Sequence, residues 1–142
     1  MRVLAATMAG AGHFGPLVPF VSACSAAGHE VRVAAPASFA DMVRQAGFTH
    51  VPLDDADPAE LGAVFGTLPG LSVQAASTRV VREVFAGVNA RAALPGLRAA
   101  VREWKPDLIL REGLECASYV VAESENVPPA IASVASCGES LA

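Results

Sequence analysis

The sequence predicts an α/β fold, a doubly wound parallel sheet with helices on both faces, giving three layers, α/β/α. Two observations point there first. Short, nearly unbroken apolar runs, such as Val3 to Ala6, Val31 to Ala35 and Leu108 to Leu110, suit strands buried on both faces of a parallel sheet. These runs alternate with segments of helical spacing that close on a glycine, the order expected of repeated βα units. Composition is the third. The chain is 53% hydrophobic, 17% charged and only 6% aromatic, so its helices should lie close on the sheet. A length of 142 residues fits one domain spanning residues 1–142.

Taken in order, Arg2 to Thr7 is the first strand. Gly10, Gly12 and Gly15 then form a glycine-rich turn that carries His13, and Pro16 opens a helix to Ala27. Leu17, Phe20, Val21, Cys24 and Ala27 fall on its inward side and Gly28 caps it. Glu30 to Ala35 is the second strand, joined to the first by a right-handed crossover. A helix follows from Ser38 to Ala46, with Phe39, Met42 and Val43 inward and Gly47 at its end. Phe48 to Leu53 is the third strand.

From Asp54 to Leu71 the pattern breaks into a stretch rich in Asp, Gly and Pro. No metal-ligand spacing accompanies Asp54, Asp55 and Asp57, so this reads as a solvated loop, forming a variable wall of a binding site. Ser72 to Ala93 is the longest helix, with Val73, Ala76, Val80, Val84, Gly87, Val88 and Arg91 along one side. Pro95 restarts a shorter helix to Trp104, with Leu94, Leu97 and Val101 facing the sheet. Pro106 ends it, Asp107 to Leu110 is the fourth strand, and Arg111-Glu112-Gly113 lies at its carboxyl end. Glu115 to Asn126 is a helix of mostly small residues, and Ala130 to Val134 is a fifth strand.

Several function classes are excluded. A net charge of −4 with scattered basic residues argues against a nucleic-acid partner. No apolar run approaches the ~18 residues of a membrane span, and glycines interrupt the first strand too early for a signal peptide, so the expected location is cytoplasmic. Cys24, Cys116 and Cys137 form neither a disulfide framework nor a zinc pattern and read as small core residues. No metal site is expected.

The glycine turn supports two chemistries. Gly10, Gly12 and Gly15 satisfy G-x-G-x-x-G, a dinucleotide fingerprint that would suit an NAD(P)- or FAD-binding oxidoreductase domain. That fingerprint also needs an acid at the end of the second strand to hold the ribose, and this strand ends in Ala35-Pro36. The other chemistry is general-base catalysis by His13, placed outside the carboxyl end of a strand, where ligands of open α/β sheets bind. A carboxylate at the end of the fourth strand shares that rim. It could fix the tautomer of the imidazole and stabilise its charged form, with Glu112 the first choice and Glu115 the second.

The opening Met-Arg-Val-Leu, the turn Gly12-His13-Phe14-Gly15-Pro16 with Pro19, the segment Ala27-Gly28-His29-Glu30-Val31 and the later Lys105-Pro106-Asp107-Leu108-Ile109 carry a resemblance over essentially the whole chain. The chain resembles the amino-terminal, acceptor-binding lobe of GT-B fold glycosyltransferases, which is Rossmann-like, and in particular the bacterial enzymes that glycosylate antibiotics and other natural products. The resemblance implies that His13, helped by Glu112, deprotonates an acceptor hydroxyl that attacks the anomeric carbon of a nucleotide sugar with inversion. Many members have Asp where this chain has Glu112.

It also implies a hydrophobic small-molecule acceptor, with walls from Met8 to Phe14, from Gly62 to Ser72 and from the helix around Val80 to Val88. Gly12, Phe14, Phe65 and Phe85 are the candidate contacts. No cofactor is expected in this chain. The UDP- or dTDP-sugar donor belongs with a carboxyl-terminal lobe of which the sequence has no sign, so the chain is expected to be a truncated or isolated lobe, inactive alone. A non-catalytic binding protein on the same lobe stays open, as does a homodimer formed through the exposed lobe face.

Overall fold

The computed structural model describes residues 1–133. Five parallel strands form one sheet: β1 (Arg2–Ala6), β2 (Glu30–Pro36), β3 (Thr49–Leu53), β4 (Leu108–Glu112) and β5 (Pro129–Ala132), in the spatial order β3-β2-β1-β4-β5. This is the doubly wound arrangement, and the strand order reverses between β1 and β4. Val3 of β1 stands opposite Val31 of β2 on one side and Leu108 of β4 on the other.

Successive side chains of each strand point to opposite faces, which divides the interior into two cores. Val3, Ala5, Val33, Ala35 and Leu110 pack with Phe14, Leu17, Val21 and Val43 on one face. Leu4, Ala6, Ala34 and Ile109 pack with Leu97, Val101, Trp104, Ala117 and Val121 on the other. The first face is covered by α1 (Ala11–Phe14), α2 (Val18–Ala26) and α3 (Ala40–Gln45), the second by α6 (Ala90–Trp104) and α7 (Ala117–Glu125). Gly96 brings α6 close to β3, since a Cβ there would lie 3.3 Å from Leu53 Cδ2 and 3.6 Å from its Cα.

The structure corrects four expectations. The first helix begins at Ala11, ahead of Pro16, and runs through a 3₁₀ turn at Gly15–Leu17 into α2. Gly10 makes this possible. With φ 134° and ψ 137° it takes a backbone conformation open mainly to glycine, and its carbonyl accepts the N–H groups of His13 and Phe14 at 3.1 and 3.0 Å. Of the residues expected inward, Phe20, Met42 and Val73 are exposed: Phe20 and Met42 lie outside the narrow stripe of their helices that the sheet covers, and Val73 starts a helix that packs on the residues after it, Val80–Asn89, rather than on the sheet.

The stretch from Asp54 to Leu71 is not wholly irregular. It contains α4 (Pro58–Phe65), whose N-terminus is capped by Asp57 Oδ1 accepting the Ala59 N–H at 2.8 Å, with Pro58 in the first turn. The last correction concerns Pro95. It restarts nothing: α5 (Val73–Arg79), a π-helical segment at Val80–Asn89 and α6 follow without a break, and Pro95 lies inside α6. Pro95 and Arg91 are both exposed, so the carbonyl that the proline ring leaves without an N–H can be solvated. The expected end of the fifth strand at Val134, and Cys137 in the tail, lie outside the described residues.

Candidate active site

Two chain segments meet where the strand order reverses. One is the Gly10 turn after β1, which places His13 in the first helical turn. The other is the end of β4, where alternation sends Arg111 and Glu112 to opposite faces. Glu112 shares the face of Leu110, toward α1, while the guanidinium of Arg111 lies 5.9 Å from the centroid of the Tyr119 ring on α7. The result is a His–carboxylate pair: His13 Nδ1 lies 3.2 Å from Glu112 Oε1, with the imidazole about a quarter exposed and the carboxylate buried.

The carboxylate is held from its other oxygen. Glu112 Oε2 accepts the Leu114 N–H at 2.7 Å. Oε1 is buried and accepts no well-formed hydrogen bond from any donor among the described residues, so the neighbouring imidazole nitrogen is the group that can satisfy it. The imidazole is bounded elsewhere too. Its Cδ2 edge faces Gly10, where a Cβ would stand 3.4 Å away, and Phe85 meets it at 5.6 Å between ring centroids, nearly perpendicular. With Nδ1 facing the carboxylate, Nε2 is the ring nitrogen turned away from it.

Glu115, the second carboxylate considered, does something else. It is 3% exposed, and its two oxygens accept the N–H groups of Ala117 and Ser118 at 3.0 and 2.9 Å, closing the N-terminus of α7. Burial pushes its carboxyl above the usual range, opposed by hydrogen bonds from Ser118, by the charge of Arg111 and by the Ala117 N–H. Arg111 is itself buried and donates to the Glu115 carbonyl through Nε and Nη2 at 2.9 and 2.6 Å. Burial also raises the Cys116 thiol.

A cavity of about 560 Å³ opens beside the pair, on the carboxyl ends of the strands. Met8 and Ala9 after β1, Leu53 at the end of β3 with Asp54 to Ala56 after it, Leu61 and Phe65 of α4, Val84, Phe85 and Asn89 of the π-helical segment, and Glu115 and Cys116 contribute to its wall. The volume and the mainly apolar lining suit a small organic molecule. Asp55, one of the acids in the former loop, is spent on structure, accepting the Ser38 N–H and pairing with the Ser38 hydroxyl.

Of the four candidate contacts, Phe65 and Phe85 line the cavity. Phe14 does not: it is 3% exposed and packs edge-on against Phe39 in the core. Gly12 is exposed on the first helical turn and is not part of the wall. Leu61 falls in the stretch from Asp54 to Leu71 expected to form a wall, but on a helix rather than a loop, and Asn89 lies just past the expected wall around Val80 to Val88. The pair Asp57-Pro58, a helix cap followed by a first-turn proline, was the available signal for Leu61. Asn89, whose amide lies 3.2 Å from Met8 Sδ, reaches the cavity through a π-helical register that no sequence pattern marks.

Among the described residues no cluster of metal-ligating side chains is present, and no helix is long and apolar enough to cross a membrane. Residues 22–139 match the family described as erythromycin biosynthesis protein CIII-like, N-terminal domain. The chain is 39% identical over 129 residues to the L-demethylnoviosyl transferase of Streptomyces niveus, covering 90% of this chain and 33% of that protein. It is 33% identical to the tylactone mycaminosyltransferase of Streptomyces fradiae, covering 87% and 32%. The SsfS6 glycosyltransferase of Streptomyces sp. SF2575, solved with thymidine diphosphate, superposes with a TM-score of 0.82 at 27% identity, covering 94% of this chain and 38% of that one. The chain thus spans about a third of the length of the curated relatives it matches.

Proposed function

From the premise that the chain belongs to the erythromycin biosynthesis protein CIII-like N-terminal domain family, we propose that it is the acceptor-binding lobe of an inverting glycosyltransferase with His13 as general base. The acceptor is a small, largely apolar molecule seated in the cavity beside β1 and β3 and presenting a hydroxyl to His13. The donor is a nucleoside-diphosphate sugar held by a second lobe outside this sequence. Its diphosphate is the leaving group, and the chain by itself turns nothing over.

The chemistry assigned to these residues is short. Nε2 of His13 takes the acceptor hydroxyl proton as the oxygen forms its bond to the anomeric carbon. The bond from that carbon to the diphosphate oxygen breaks, and its electron pair leaves with the nucleotide. Glu112 has two duties. It holds the proton on Nδ1, so that Nε2 carries the lone pair, and it stabilises the imidazolium that forms.

The observation that carries this reading is the buried Glu112 Oε1, which accepts no well-formed hydrogen bond among the described residues and has the imidazole Nδ1 3.2 Å away. A buried carboxylate oxygen is rarely left in that state unless a proton on the neighbouring nitrogen satisfies it. The test is sugar transfer by the protein joined to its donor-binding lobe, comparing the native chain with His13→Ala. A loss of about 10²-fold or more in kcat is expected of a missing general base. An unchanged rate overturns the assignment.

A further inference from the structure

The cavity and the base are neighbours without touching. Phe85 lines the cavity and also meets the imidazole at 5.6 Å, whereas His13 forms no part of the cavity wall. Phe85 is therefore the wall residue that also meets His13. Phe85 is carried on the π-helical segment Val80–Asn89, between α5 and α6. A π-helix has i→i+5 hydrogen bonds, is rare, and usually occupies a single turn at a functional site, so a run of ten residues is an uncommon way to build a wall. Gly87 belongs to that segment, and a Cβ there would lie 3.2 Å from the Arg82 carbonyl.

The imidazole is bordered in two further directions, by Glu112 at Nδ1 and by Gly10 near Cδ2, where an added Cβ would just touch the ring. Both are fixed: Glu112 is buried and anchored through Leu114, and Gly10 is main chain. The Phe85 ring is the adjustable boundary, since it is only half-buried and turns about two side-chain bonds. From this we propose that Phe85 is a positioning residue that couples occupancy of the cavity to the orientation of the His13 imidazole. A molecule filling the cavity presses on one side of the Phe85 ring, and the other side of that ring sets the plane of the base. The proposal rests on the reading of His13 as the base for its purpose, but not for its test.

The test uses the chain as it stands, with N-phenyl-1-naphthylamine as a neutral apolar probe, and follows its fluorescence and the imidazole ring protons by NMR. Filling the cavity of the native chain is expected to shift the His13 ring signals and leave those of His29, on the far end of the sheet, unmoved. Phe85→Leu keeps apolar bulk but removes the ring. With the cavity saturated with probe, as its fluorescence shows, it is expected to lose more than half of the His13 shift. Phe85→Tyr is expected to restore the shift. If the probe touched His13 directly, the shift would survive Phe85→Leu, and that result overturns the proposal. So does a probe that binds the native chain without moving His13, or one that does not bind at all. The transfer rate of His13→Ala tests the base separately, so failure of the coupling alone leaves that assignment standing.

Discussion

Replacing Glu112 by Gln gives the most discriminating prediction, because the surrounding geometry dictates how the amide must lie. The Leu114 N–H, 2.7 Å from Oε2, needs an acceptor, and in the variant only the amide oxygen can supply it. The amide NH₂ is then turned toward His13 Nδ1, 3.2 Å away in the native chain. Facing a donor, Nδ1 must become an acceptor, and the proton moves to Nε2, the nitrogen that should take a proton from substrate. The same inversion in a Ser-His-Asp triad costs about 10⁴ in kcat. Here the inversion blocks the base without removing it, so a loss smaller than that of His13→Ala is expected, with acceptor binding within about threefold, since Glu112 does not line the cavity.

Glu112→Ala provides the internal control. It removes the carboxylate but leaves no donor facing Nδ1, so the imidazole can relax to either tautomer. The Leu114 N–H loses its partner, at a stability cost of about 1–3 kcal/mol. The Ala variant, although more drastic, is therefore expected to be less stable and more active than the Gln variant. The measurements are initial transfer rates in the two-lobed protein and imidazole ¹⁵N shifts in this chain, which report the protonated nitrogen. A Gln variant that is faster than the Ala variant, or that keeps the proton on Nδ1, refutes the reasoning.

Two other predictions concern the supports of the site. Gly10→Ala places a Cβ on a residue with φ 134° and is expected to cost about 1–3 kcal/mol in unfolding free energy, with a larger proportional loss of transfer because His13 hangs from that turn. Unfolding in denaturant, compared with transfer rate, reads both. Glu115→Gln tests the buried cap of α7. Because the folded chain raises the Glu115 carboxyl above its ordinary 4.5, the folded state holds the proton more tightly, and this group's contribution to stability falls as pH rises from 4.5 through the raised value. The variant should lack that decline. Parallel slopes of stability against pH for the two proteins would contradict it.

The sheet was readable in the chain because its strands are buried on both faces, and burial on both faces leaves a contiguous apolar run. Each of the five strands lies within one or two residues of its expected bounds wherever it is described. The pairing of His13 with Glu112 followed from topology, since both close strands that open onto one rim; that Glu112 rather than Glu115 makes the contact depended on strand alternation and on the Ala117 and Ser118 N–H groups that claim Glu115. The helices were less legible. Asp57-Pro58 was masked by the glycines around it, and Pro95 looked like a boundary because its tolerance depends on facing solvent, which only the fold decides. Phe14 illustrates a deeper limit: apolar residues beside a candidate catalytic position serve the core or the ligand, and sequence does not say which way the ring turns.

The order of the strands has a consequence for how the site comes into being. His13 lies near the start of the chain and Glu112 about a hundred residues later, yet β1 and β4 are neighbours in the sheet. A contact of such long range forms only after the intervening loop has been closed, so it comes late in folding and depends on most of the sheet being in place. During synthesis the histidine leaves the ribosome well before its carboxylate, and until β4 docks against β1 the imidazole has no carboxylate beside it. The ¹⁵N signature of that ring is thus a gauge of assembly: it reads native only when the two halves of the sheet have joined.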